Sequence, residues 1–330
     1  MWLNLALQGG GAHGAFTWGV LDALLEDQRI AFEGISGSSA GAINAVVLAN
    51  GWLNSGRDGA RQALADFWGA IGDVVPWPLL TKGTSAGIGP TARLLMDWAG
   101  HFSPAQLNPL DLDPLRDTLR RQIDFERLRS ASPFKLFIAA THANSGRLRI
   151  FRERELHVET VLASACLPRI HRAVEIDGEP WWDGGYSANP AVFPLVCCCA
   201  ARDILLVLLS PLEWTHTPHS ARQIAERAAE LAFSAHFMRE MRTLSEAIDR
   251  ARTGFAWPDP LARRLRRLRF HMIDASRIAE LERMETKLLT FRPFLQRLRD
   301  LGRARTRELL AHHGDALGHH STLDLHRWFG

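Results

Sequence analysis

Within the first 50 residues, two strand-like runs each end in a cluster of glycines that opens a helix. This repeated wiring leaves the chain few folds to choose from. Residues 3–8 alternate as Leu3-Asn4-Leu5-Ala6-Leu7-Gln8, and residues 15–25 place Phe16, Val20, Ala23 and Leu24 at helical spacing. Residues 32–36 read as a second short strand, and 40–49 as a small, apolar, uncharged segment suited to a helix buried against a sheet. Strands joined through helices pair in parallel, so the pattern predicts an α/β fold.

The alternation continues. Further strands are predicted at 134–141, 147–151 and 204–209, a short helix at 157–165, and two strands around Asp177-Gly178, at 174–176 and at Trp181-Trp182. Between 51 and 132 the pattern loosens into helices broken by Pro76, Pro78, Pro90, Pro104, Pro109 and Pro114, which predicts an insertion covering one end of the sheet. Residues 211–330 read as helical, and 215–330 hold 21 Lys+Arg against 14 Asp+Glu, net +7, leaving the first 214 residues at −4. Only three lysines occur in the chain, so this positive charge is almost all arginine. Leu261, Leu265, Leu268 and Met272 fall at helical spacing with Arg263, Arg264, Arg266, Arg267 and Arg269 between them, and Phe255 and Trp257 lie upstream. Such a helix either packs its leucines on the core or lies on an anionic bilayer as a peripheral membrane contact.

Composition narrows the setting. With 330 residues, 46% of them hydrophobic, and a formal charge of +3, the chain can bury a large core. Its most apolar region, 191–210, is interrupted by Pro194, Arg202 and Asp203, and residues 3–8 lack a basic leader. No membrane span and no secretion signal are therefore expected, and the expected compartment is the cytoplasm. Of four cysteines, Cys197, Cys198 and Cys199 are adjacent, which reads as buried small hydrophobes rather than a disulfide framework.

Gly9-Gly10-Gly11-Ala12-His13-Gly14 lies between a strand and a helix, where amides can approach a negative group closely. One candidate anion is a dinucleotide, since Gly9-x-Gly11-x-x-Gly14 matches that fingerprint and Glu33 stands where a ribose ligand would. The second turn points elsewhere. Gly37-Ser38-Ser39-Ala40-Gly41 is G-x-S-x-G in the strand-turn-helix setting of a nucleophile elbow, with Ser39 central. A serine nucleophile needs a base and an oxyanion hole, so the glycine loop acquires a transient anion to hold. Asp183, at the end of a strand and before Gly184-Gly185, is placed to present its carboxylate at the same end of the sheet.

Together, QGGGAHGAFTWGVLDAL, FEGISGSSAGAINAVVLANG, and VLASACLPRI followed by WWDGGYSANP resemble the patatin-like phospholipase family over roughly residues 3–210. The resemblance implies a three-layer α/β/α sandwich with a mostly parallel sheet, and a lipid acyl hydrolase without metal or organic cofactor. It implies Ser39 as nucleophile, Asp183 as general base, and Gly9, Gly10, Gly11, Ala12 and Gly14 as the oxyanion loop. Gly37 and Gly41 would shape the elbow, and Gly184 and Gly185 the aspartate turn. The chain departs from the family pattern at His13, where an Arg or Lys is usual.

Two other readings follow from the residues. An α/β-hydrolase would use Ser39 with Asp183 as orienter and His216 or His219 as base. A non-catalytic nucleotide-binding module would use the glycines alone. His312-His313 and His319-His320 lack the accompanying ligands of a metal site. The basic C-terminal third matches no nucleic-acid module, so no nucleic-acid partner is expected; the partner that the family resemblance implies is a lipid or other acyl ester.

Overall fold

The computed structural model describes residues 1–73, 113–213, 217–253, 259–276, 278, 280–281 and 284–330, the side chains of residues 222, 284 and 285 excepted. The expectations for Pro76, Pro78, Pro90, Pro104, Pro109, His216, Phe255 and Trp257 lie outside the described residues. Eight strands form one sheet: β1 (Trp2–Leu7), β2 (Ala31–Gly37), β3 (Lys135–His142), β4 (Leu148–Arg152), β5 (Val174–Ile176), β6 (Glu179–Asp183), β7 (Asp203–Leu208) and β8 (Arg269–Asp274). Their order is β5-β6-β3-β2-β1-β7-β8, with β4 also against β3. The steps joining β3, β2, β1, β7 and β8 are all parallel, while β4, β5 and β6 run antiparallel to their partners.

Helices cover both faces, and the two-residue period of the strands decides which side chain goes where. From β1 and β7, Leu3, Leu5, Leu7, Leu205 and Val207 enter one core with α1 (Gly14–Glu26) and α2 (Ala40–Asp73). That core also takes Leu119 of α3 (Pro114–Gln122), Leu128 of α4 (Phe125–Ala131) and Val161 of α5 (Val158–Ser164), whereas Ala6, Ile204, Leu206 and Leu208 enter the other, with α6 (Phe193–Cys198) and α7 (Ala221–Thr253). The remaining helices are α8 (Pro260–Arg266), α9 (Arg292–His313) and α10 (Leu325–Phe329). The result is an α/β/α sandwich. Helix α2 breaks at Ser55 and Gly56, the latter at φ 60°. Pro114 opens α3 at its first turn, where its missing N–H costs nothing and Asp113 caps Arg116 N at 3.0 Å. Among the described residues, no helix is long and apolar enough to cross a membrane.

The region after residue 211 holds more than helices. Residues 269–274 form β8, parallel to the edge of β7, and the helix expected to run on to Met272 ends at Arg266. Partners distant in sequence override the local period. Arg269 and His271 both bind Asp203, the first residue of β7, with Arg269 Nε at 3.0 Å and His271 Nε2 at 3.1 Å from Oδ1. Leu265 and Leu268 are buried, and Arg264 donates to the carbonyls of Val196, Ala200 and Ala201. Arg266 reaches the carbonyl of Ala251. The helix therefore packs on the core, and its arginines serve largely as carbonyl staples. Of the cysteines, Cys166 and Cys199 are buried, Cys198 is half-buried and Cys197 is exposed, and all are free thiols.

Removing Arg264 strands three carbonyl acceptors, so Arg264→Ala is expected to lower the unfolding free energy by about 2 kcal/mol. Arg263→Ala and Arg267→Ala, at exposed positions, should stay within about 0.5 kcal/mol. Urea denaturation of the three variants measures this.

Candidate active site

The site is assembled on β3. One edge of that strand is taken by β4, which lies opposite residues 137–141. The other edge is shared: β2 pairs with it in parallel as far as Gly37 opposite Ile138, and β6 pairs antiparallel as far as Asp183 opposite Ala140. The C-terminal ends of β2 and β6 therefore face each other along one edge, two residues apart, or about 7 Å at strand rise. Ser38 and Ser39 follow one end, and Asp183 is the other.

At the first end the chain turns sharply. Ser39 sits at φ 54°, a left-handed conformation a serine adopts only when its surroundings impose it. Its amide is held by the carbonyl and hydroxyl of Ser164, each at 3.1 Å. A Cβ on Gly37 would stand 2.5 Å from the Gly41 carbonyl carbon, and one on Gly41 would run into the carbonyl of Leu7. Both glycines are thus required by close approach. Ser36 and Ser38 are fully buried, and Ser38 donates to the carbonyl of Ala188, whereas Ser39 is half-buried at the start of α2. Of the three serines, Ser39 is the one open to a substrate.

Asp183 is fully buried. Its Oδ1 accepts from Gly185 N at 2.7 Å, while Oδ2 has no hydrogen-bond partner among the described residues. Burial pushes the carboxyl up to about 7, against the Gly185 amide and the nearby Ser39 hydroxyl, which both favour the ionised form. The glycines after it leave no room for side chains. A Cβ on Gly184 would meet the carbonyl of Ala139, and one on Gly185 the ring of Phe233 on α7 at 2.5 Å.

The glycine loop passes directly under the elbow, for a Cβ on Gly9 would lie 2.6 Å from Ser39 Cβ. Its amides divide. Gly9 N donates to Asn189 Oδ1 at 2.7 Å, and Gly14 N closes the short turn Gly11–His13 onto the carbonyls of Gly11 and Ala12. Those two positions are withdrawn from the expected set of anion donors. The amides of Gly10 and Gly11 donate to no other group among the described residues, and Ala12 follows them in the turn. Gly11 lies at φ 58°. Gly14 instead packs the loop against the elbow, since a Cβ there would meet Ala40 Cβ at 2.6 Å.

A sequence profile of the family Patatin-like phospholipase matches residues 5–196. The chain belongs to the patatin-like phospholipase family. No match was found among curated proteins. Among solved structures, the crystal structure of VipD from Legionella pneumophila is similar, at 17% identity and a TM-score of 0.40, with 94% of this chain and 67% of that chain covered.

In this patatin-like sandwich the rival site residues stand apart. Glu33 lies near the start of β2, at the opposite end of the sheet from the glycine loop, where Lys135 Nζ binds it at 2.8 Å and the amides of Ala200 and Ala201 donate to it. It holds no ligand at the loop. His219 is exposed, and its amide donates to Gln223. No histidine contacts Asp183 among the described residues. His13 is fully buried, with Nε2 2.8 Å from Thr286 Oγ1. Thr286 gives its own proton to the Glu280 carbonyl, so the shared proton is the imidazole's, and Nδ1 is bare. Burial, and then the charge of Lys287, hold His13 well below its ordinary pKa, so it is neutral.

Four residues that shape the site carry no motif of their own. Gln8 accepts from the amides of Leu209 and Ser210, and Asn189, Ser164 and Thr286 hold Gly9, Ser39 and His13. Their only signal was proximity in sequence to the motifs, and Thr286 lacked even that.

The buried carboxyl makes a thermodynamic prediction. Its folded pKa of about 7 exceeds the usual 3.8, so the contribution of this one group to stability is full below pH 4 and is lost as pH rises to 7, by roughly 4 kcal/mol. Asp183→Asn removes that dependence. Thermal melts should show the variant gaining on the parent steadily from pH 4 to 7 and holding that gain above. A constant difference in Tm across this range would contradict the raised pKa.

Proposed function

We propose that this protein is a serine acyl hydrolase that removes fatty acyl chains from lipid esters through a Ser39-Asp183 dyad. One observation carries the reading: β2 and β6 end face to face on a single edge of β3, so a strained serine and a buried carboxylate oxygen converge, with no histidine between them and no partner on that oxygen among the described residues. Membership of a family of lipid acyl hydrolases supports the substrate class. Contact with a lipid surface belongs to the same proposal, because the substrate resides in one.

The chemistry follows from the placement. The ionised Asp183 takes the Ser39 proton on Oδ2 as Oγ attacks the ester carbonyl. Negative charge then develops on the carbonyl oxygen, where the amides of Gly10 and Gly11 and the N-terminus of α2 stabilise it. Collapse breaks the ester C–O bond, and Asp183 returns the proton to the departing alcohol. A water molecule deprotonated by the same carboxylate frees the fatty acid and restores Ser39. A base with a pKa near 7 suits work at neutral pH, being neither too weak to take the proton nor too strong to give it back.

Ser39→Ala and Asp183→Asn should each lower hydrolysis by at least about 10⁴-fold, and the double variant should be no worse than either alone. A fluorophosphonate should label the parent and not Ser39→Ala. In the parent, kcat/KM should rise with pH through about 7 to a plateau on the mildly alkaline side, because only ionised Asp183 accepts the proton. His219→Ala should keep full activity. Assays on a phospholipid, a lysophospholipid, a glyceride and an acyl thioester identify the leaving group.

A further inference from the structure

The glycine loop must stabilise a negative charge, yet its one basic side chain, His13, is neutral and turned into the core. A different cation stands beside it. Residues Met284–Leu288 form a short turn that seats on the loop. Thr286 holds His13, and the carbonyl of Lys287 fills the space where a Gly11 side chain would be, with Lys287 Cβ 3.7 Å from that position. Lys287 Nζ lies 3.4 Å from the hydroxyl of Ser210, whose amide donates to Gln8 at 3.0 Å, and Gln8 is the residue before the loop. The neighbouring Leu209 reaches within 3.1 Å of where a Cβ on Gly10 would lie. The ammonium is therefore carried to the same end of the sheet as Gly10 and Gly11. It is deep-set but keeps part of its surface open, as a group lining a cleft does. Lys135, by contrast, is bound to Glu33 at the far end of the sheet, and Lys82 lies outside the described residues.

We propose that Lys287 is the cation of the oxyanion site, its ammonium stabilising the negative charge that develops at the amides of Gly10 and Gly11. This rests on the Ser39-Asp183 reading. Among the described residues, the charged and titratable groups facing Lys287 are His13 from the loop and, from α7, Glu230 with its ion-pair partner Arg227 at 3.1 Å. Burial lowers the lysine pKa and Glu230 opposes that, favouring the protonated form. His13, being neutral, adds no repulsion. A charge that acts on the transition state and not on the bound ester should appear in kcat rather than KM.

The test is steady-state hydrolysis of a p-nitrophenyl ester by the full chain. Lys287→Met should lower kcat by about 10- to 100-fold with KM within twofold, and Lys287→Arg should retain most of kcat. The kcat of the parent should also fall at alkaline pH as the ammonium loses its proton, and this limb should vanish in Lys287→Met. The parent measurement stands even if Lys287→Met fails to fold. A kcat for Lys287→Met within twofold of the parent, an arginine variant as impaired as the methionine one, or a parent profile flat to pH 11 would each overturn the assignment. Ser39→Ala is assayed in parallel. If it retains hydrolysis, the dyad reading and this inference both fall; if it is inactive while Lys287→Met is unimpaired, only Lys287 is wrong.

Discussion

Everything at the site depends on one strand edge being shared. A β-strand offers its neighbours two edges, and β3 gives one to β4 and divides the other between β2 and β6. Because β2 runs parallel to β3 and β6 antiparallel, their C-terminal ends point at each other. Hydrogen-bond register then sets the separation of Ser39 and Asp183 with the precision of a sheet, not of a loop. The close approaches of Gly37, Gly41, Gly184 and Gly185 follow from this crowding, since two chains must leave the sheet at nearly the same point. A one-residue slip of β6 would turn the Asp183 side chain to the other face.

The second constraint is the cost of burying that aspartate. Full burial raises the carboxyl pKa, which suits a base but makes its ionised form a source of instability at neutral pH. What covers it comes from distant sequence. Phe233 on α7 lies against Gly185 and packs at a tilt on Tyr186, with ring centroids 4.4 Å apart. The C-terminal region thus helps set the pKa of a residue in the family-matched part of the chain, through exclusion of water rather than through charge.

The elements legible in the sequence were those whose signal is local. The alternation in 3–8, the glycines at 9–14, G-x-S-x-G, and the Asp177-Gly178 turn between β5 and β6 each state their geometry within a few residues, and the structure places all of them. β8 was not legible. The leucine spacing through 261–272 is a true helical period over its first half, but the pairing of Arg269 and His271 with Asp203 is decided 66 and 68 residues away. The donor list of the glycine loop was too generous for a similar reason. Whether an amide is free depends on who else is present, and Asn189 takes Gly9 from a distance of 180 residues. Lys287 carries no motif at all, and only the packing of its turn onto Gly11 brings it into view.

The uneven charge of the chain acquires a structural meaning from the same long-range contacts. On α9, Arg303 pairs with Asp22 and Glu26 of α1, Arg307 reaches Glu26 at 3.2 Å, and Arg292 binds Asp73 at the end of α2. Below them the two helix backbones nearly touch, where Gly19 of α1 faces the Arg299 carbonyl and Gly302 of α9 faces that of Phe16. The Arg307–Glu26 and Arg292–Asp73 pairs are solvent-exposed and add little stability individually, about 0–1 kcal/mol each, whereas Asp22 is buried under Arg303. Their effect is on register. The basic C-terminal third and the acidic first part of the chain attract one another, and only one alignment of α9 on α1 sets glycine against carbonyl and arginine against carboxylate together. The turn holding Thr286 and Lys287 leads directly into α9, so the alignment that satisfies these charges also fixes where that turn meets the glycine loop. The positive charge of this region is spent largely on the molecule itself, in carbonyl staples and interhelical pairs, and the C-terminal third is a structural part of the site.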